Sequence, residues 1–271
     1  MNTKFIVNDY AIIWNLLFQA SISESIYKLK QKLWDTYKVE YNETYKDKEA
    51  ILKDIKNFIP NNDTIYNFLL ANKNYERIRK QVEKYRLDIM KLWDKNKRMT
   101  NLLIKNVIRK ELPDYTFFVV NKELNILDHS VKGSMIIGKE IDSKNQLSIL
   151  YEILMHIVMD NIKYYEAEDK RIKRAIVELA VLNEYPTMID KKSHYLSGNP
   201  ELLSMKRWLY PYWLMYLGVP QDEFFSYMMR DKLSFEIDKY AYEKELKKMD
   251  IEEFIGFCIR NKKYIIRETI I

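Results

Sequence analysis

The chain has 271 residues, 47% of them apolar, with 21 Tyr, 11 Phe and 5 Trp, enough to bury a sizeable core and to exclude an intrinsically disordered chain. Its single cysteine excludes an internal disulfide framework and any zinc site built on several thiolates. Net charge is +6, unevenly placed: residues 1–112 hold 22 Lys and Arg against 14 Asp and Glu, and the remainder hold 23 against 25, so a basic front precedes a near-neutral back.

The opening stretch MNTKFIVNDYAIIWNLLFQASIS carries one Lys, and Asn8, Asp9 and Asn15 interrupt its apolar run. That is a poor secretory signal, and no later run reaches the ~18–20 apolar residues that span a bilayer. The expectation is a soluble, cytoplasmic chain with no membrane partner. From about Tyr10 to Leu112 the pattern is helical. Ile26, Leu29, Leu33, Tyr37 and Tyr41 share one side at three-and-four spacing, with Ser21 or Ser23 available as a cap. Pro60, Asn61 and Asn62 then stop a helix, and Asp63 is placed to cap the next. Between Asn74 and Leu112, Ile78, Val82, Tyr85, Ile89, Leu92, Met99 and Leu103 recur every three or four residues, the mark of a long helix packed along one seam.

After Pro113 and Asp114 the pattern changes. YTFFVV, ELNILD and SMIIGKEI are short β-branched and aromatic runs separated by turn residues, and read as three strands. Two helices follow, SILYEILMHIVMDN and DKRIKRAIVELAVLNEY, the second ended by Pro186. Beyond a loop lies PELLSMKRWLYPYWLMYLG, helical around Pro211. The tail KYIIRETII has strand propensity. The fold class is therefore α+β and mostly helical, with a small antiparallel or mixed sheet over about residues 115–140, to which 263–271 could add. The organisation read from the sequence is a basic helical region, 1–112, followed by an α+β domain, 113–271, with a helical C-terminal part.

Five glycines, none arranged as G-x-G-x-x-G or G-x-x-x-x-G-K-[ST], leave no phosphate-cradling loop. Asp128, His129 and Ser130 hold the residue types of a catalytic triad, but consecutive residues do not converge on one hydrogen-bonded line, and the tripeptide reads as a turn. Cys258, within IEEFIGFCI, reads as a small buried apolar side chain. Arg77, Lys84, Lys91, Arg98 and Lys105 recur every seven residues and form one slowly drifting basic line on a continuous helix. Such a line suits nucleic-acid phosphates or a solvated outer face, and the interleaved Glu76, Glu83, Asp88 and Asp94 favour the latter. Trp208, Tyr210, Tyr212, Trp213 and Tyr216 surround one helix, so they serve a core, a groove or a partner surface.

One polar line remains. Ser148, Glu152, His156 and Asp160 stand four apart on an otherwise apolar helix, so Glu152 and His156 must be paired or bound to something. A strand-rich stretch leading into this helix, followed by a second helix carrying Glu178 and Glu184, resembles the core of the zincin metallopeptidases, of the gluzincin type, over roughly residues 115–185. YEILMH is similar to the longer motif H-E-x-x-x-H, with Tyr151 where the first histidine would stand. The resemblance implies that Glu152 matches the general base of the zinc-bound water, His156 the second zinc ligand and Glu178 the third. With the first ligand replaced, it implies a degenerate scaffold without full peptidase machinery and no resident cofactor; zinc binds only if His129 or His194 completes the set. A peptide or protein partner is the binding expected, and if the chain is an enzyme it is a metal-dependent peptidase. The competing reading is a non-enzymatic helical interaction module whose partner is a protein or, less favoured, nucleic acid.

Overall fold

The computed structural model describes residues 1–19, 24–55, 57–131, 133–163, 167–192, 196–220, 222–224, 226 and 239–266. Ser21, Ser23, His194 and the tail beyond Ile266 lie outside the described residues, as does the side chain of His129. The chain forms two compact units, one of Met1–Lys95 with Pro113–Ile153, the other of Asn96–Leu112 with Leu154–Ile271.

The first unit holds a four-stranded mixed sheet in the order β1-β2-β4-β3. Strands β2 (Tyr115–Val119), β3 (Ile126–Val131) and β4 (Ser134–Gly138) are the three runs expected from the sequence. The fourth strand comes from the other terminus: β1 (Thr3–Ile6) pairs parallel to β2, placing Phe5 beside Phe117 with ring centroids 4.7 Å apart. Strand β4 pairs parallel with β2 and antiparallel with β3. The tail expected to extend the sheet is, over Lys262–Ile265, a short helix; 267–271 lie outside the described residues. Asp128, His129 and Ser130, expected as a turn, belong to β3, where the register with β4 shifts between Asp128 and Val131.

Helices cover both faces of this sheet. The long α6 (Lys73–Leu103) buries Val82, Tyr85 and Ile89 along its expected seam and sets Trp93 against Phe5 and Phe117 at 6.1 and 5.9 Å. On the opposite face Ile136 meets Ala11 of α1 (Asp9–Phe18) and Ile51 and Leu52 of α4 (Lys48–Lys53). Asn8 caps α1 by accepting from the Ala11 N–H, and Ala11 to Leu17 are all buried, which removes an almost wholly apolar helix from water. Helices α2 (Glu24–Thr36), α3 (Lys38–Tyr45) and α5 (Thr64–Leu70) complete the unit. The helix of the Glu–His line, α7 (Ser148–Asn161), begins here and continues into the second unit.

In the second unit α6 ends in a π-turn, Ile104–Ile108, closed by Arg109 in the left-handed conformation at φ 55°. Helix α8 (Ala167–Glu178) runs through another π-turn, Leu179–Glu184, into α9 (Tyr185–Asp190). Pro186, expected to end the helix, instead stands within this continuous helical run, just past the π-turn. The aromatic run lies in α10 (Leu203–Leu217), and Tyr210, Tyr212, Trp213 and Tyr216 are buried in the core, not arrayed along a groove. Tyr216 stacks on Phe254 of the helix Ile251–Arg260 at 4.6 Å, and Cys258 of that helix is buried. Among the described residues no helix is long and apolar enough to cross a membrane.

Candidate functional site

Glu152 lies in the first unit, one turn along α7, and its carboxylate is engaged. Lys139 Nζ donates to both Glu152 oxygens at 2.7 Å. Lys139 is positioned by three local features. It follows directly on β4, whose last residue, Gly138, lies so close to the β2–β3 connection that a Cβ there would stand 2.6 Å from Val120 Cγ2 and 2.7 Å from Asn121 O; only glycine permits that approach. The Tyr85 hydroxyl then clamps the Lys139 backbone, donating to its carbonyl and accepting from its N–H at 3.0 Å. Burial raises the Tyr85 pKa, so the phenol stays a neutral donor.

His156, half-buried on the same helix, has interactions within the chain. Glu178, at the end of α8, is almost fully buried in the second unit. Its Oε2 accepts from Lys206 Nζ at 2.8 Å and from the Asn199 N–H at 3.0 Å, while Arg174 Nε reaches Oε1 at 3.4 Å. Lys206 Nζ, itself buried, also donates to the Ser197 carbonyl at 2.7 Å. Gly198, at φ 110°, threads the loop past this pair, since a Cβ there would lie 2.5 Å from Glu178 Oε2. The two carboxylates assigned by resemblance as base and third ligand therefore each meet a lysine. Among the described residues no three His, Cys, Asp or Glu gather as a group that could hold a metal.

The Lys139–Glu152 pair stands at the carboxyl end of the parallel strands, where ligands commonly bind in open sheets with helices on both faces. Two adjoining cavities open at this end of the first unit. One, of about 370 Å³, is bounded by Lys84, Tyr85 and Asp88 of α6, by Lys122 and Glu123 after β2 and by Ile141 after β4. The second, of about 350 Å³, is lined by apolar Leu16, Ile26, Leu69 and Ile78 and by polar Asn72, Asn74 and Arg77. Gln81, Asn121 and Glu123 line both.

Sequence reasoning missed Lys139, Tyr85 and Asn121 as site residues. Tyr85 was legible only as a seam residue of α6, and Lys139 and Asn121 carry no spacing signal: their position just past the ends of β4 and β2 is the signal, and it needs the strand order. A comparison with family models, with curated proteins and with solved structures finds no match.

Proposed function

We propose that the chain is a zincin-like, peptidase-related scaffold without a working metal centre, and that it binds a peptide or protein partner. The observation that carries the first half is the bidentate Lys139–Glu152 pair. A general base must be open to the water it activates; here an ammonium already occupies both oxygens, and at Glu178 the Lys206 ammonium occupies Oε2 while Arg174 reaches Oε1. The partner half rests on the helical front of the first unit, where Tyr27, Trp34, Val39, Tyr45, Ile59 and Leu70 are exposed. Large apolar side chains left exposed on helices are available for a partner to cover.

The test is a metal and turnover assay on the purified chain. Substoichiometric zinc, unhydrolysed unfolded-protein substrate and unchanged stability in chelator are expected. One tightly held equivalent of zinc, with hydrolysis abolished by Glu152→Gln, would overturn the reading. For the partner, the double variant Trp34→Ser/Val39→Ser is expected to lose bound protein while its circular dichroism stays unchanged.

One observation favours a second reading. Arg77, Lys84, Lys91, Arg98 and Lys105 are all exposed, and among the described residues none has an ion-pair partner, whereas Arg79, Lys80 and Arg86 are paired with Asp9, Glu76 and Glu83. An uncompensated cationic line suits an anionic polymer. It predicts nucleic-acid binding that weakens steeply with salt and with charge reversal at Lys84 and Lys91; salt-insensitive or absent binding removes it.

A further inference from the structure

We propose that the carboxyl end of α7 is a site for a primary ammonium ion, filled in this chain by its own Lys173, and that the last turn of α7 stays ordered only while that cation is in place. A helix leaves its last carbonyls without intrahelical partners and carries partial negative charge at that end. In α7 the demand is larger than usual: its last turn holds no basic residue and does hold Asp160, and no glycine follows to close the helix in a left-handed turn. Two lysines from elsewhere in the second unit meet it. Lys173 Nζ, on α8, donates to the carbonyls of Met159 at 2.8 Å, Ile162 at 3.0 Å and Lys163 at 3.3 Å. Lys110 Nζ donates to the Asn161 carbonyl at 3.0 Å and is itself paired with Glu252.

Three carbonyls around one ammonium match its three N–H donors. Backbone carbonyls turned on one point are also the arrangement that replaces the hydration shell of a monovalent cation. Lys173 is 7% exposed, and burial pushes its pKa down, opposed by Asp160 and reinforced by Lys110 and Lys170. A charge withdrawn from water must be compensated, and here main-chain oxygens do it. These oxygens belong to the last turn of α7 and to the two residues beyond it, so one cation gathers the end of the helix at a single point. Because α7 also carries Glu152 and His156, the charge on Lys173 decides how firmly that helix is held beyond them.

Amide hydrogen exchange of the full chain tests this with Lys173→Ala and Lys173→Gln. The first removes Cγ to Nζ, the atoms that n-propylammonium carries; the second keeps a donor and removes the charge. In Lys173→Ala the amides of residues 158–161 are expected to exchange about tenfold or more faster than in the parent. Added n-propylammonium should restore their protection in a saturable way, while propanol and tetramethylammonium, which lack the charge or the N–H donors, should not. The parent should respond to none of the three. Lys173→Gln should lose protection at the same amides, which keeps the test decisive where Lys173→Ala does not fold. Parental protection in either variant, restoration by propanol, or none by n-propylammonium overturns the proposal. None of these outcomes bears on zinc or on the partner surface, so this proposal and the functional reading fail separately.

Discussion

Single residues decide the chemistry here through their pairing, and Glu178 shows how strongly. Its carboxylate and the Lys206 ammonium are both withdrawn from water, each with further hydrogen bonds from the 197–199 loop. Removing one member of such a pair leaves an uncompensated buried charge, at a cost of about 3–5 kcal/mol. Lys206→Met is therefore expected to lower the unfolding free energy, read from chemical denaturation, by that amount, and the double variant Lys206→Met/Glu178→Gln to recover much of the loss. Equal stability of the single and double variants would show that the two charges do not compensate each other. Glu184 behaves differently. Burial raises its carboxyl pKa, opposed by the hydrogen bond that Trp213 Nε1 donates to it at 2.9 Å. A carboxyl with a raised folded-state pKa binds its proton more tightly folded than unfolded, so its contribution to stability falls as pH rises from the ordinary glutamate value of 4.5 through the raised one. Glu184→Gln keeps an acceptor for Trp213 and removes the ionisation. It should be more stable than the parent at neutral pH, and the difference should vanish in acid; thermal melts across pH 4–8 read this directly. Neither pairing was legible in the sequence, because Lys206 lies 28 residues beyond Glu178 and Trp213 lies 29 beyond Glu184. The amphipathic pattern marks a position as buried without marking its partner.

Among the elements, those with sustained period were legible and those without were not. The seam of α6 and the strands β2, β3 and β4 follow from recurring apolar residues, and so does the change from helix to strand at Pro113. Strand β1 has only four residues, TKFI, too few to show alternation, and is a strand because β2 offers it a parallel edge and Phe117 a ring to stack on. The tail KYII had the stronger propensity yet forms helix over Lys262–Ile265, continuing from Ile251–Arg260 through Asn261, whose carbonyl accepts from the Tyr264 and Ile265 N–H groups. Tertiary context overrode propensity in both cases. The helix Ile251–Arg260 shows local signals succeeding. Asp250 and Glu253 form a reciprocal capping box, Asp250 Oδ1 accepting from the Glu253 N–H at 2.9 Å and Glu253 Oε2 from the Asp250 N–H at 3.0 Å. Asp250→Ala should cost roughly 1 kcal/mol, a melting-temperature drop of about 2–4 °C. Asp250→Asn, which can still accept from the Glu253 N–H, should restore most of it; a drop of the same size in both variants would assign the loss to charge, not to the cap.

For the whole chain, the compact units are not single sequence segments. The first unit draws on Met1–Lys95 and Pro113–Ile153, the second on Asn96–Leu112 and Leu154–Ile271, so each is built from two stretches and α6 and α7 run through both. Strand β1 lies more than a hundred residues before its partner β2, and Trp93 comes from the front of the chain to pack on Phe117. Division at Leu112, where the charge balance and the helical pattern both change, separates these partners. A fragment of residues 1–112 keeps Phe5 and Trp93 but lacks Phe117, and one of 113–271 keeps Phe117 but lacks both. Burial of these three rings against one another is a large part of what one face of the sheet contributes, each ring burying on the order of 150–250 Å². Neither fragment alone should therefore show cooperative urea unfolding or a native near-ultraviolet circular dichroism spectrum, and mixing the two should restore both signals as β1 regains β2. A cooperative transition in the 1–112 fragment by itself would mean that the helical front folds without the sheet. Strand β1 would then be an addition to a self-sufficient helical domain, and the cleft at the carboxyl end of the sheet would be assembled only after that domain had formed.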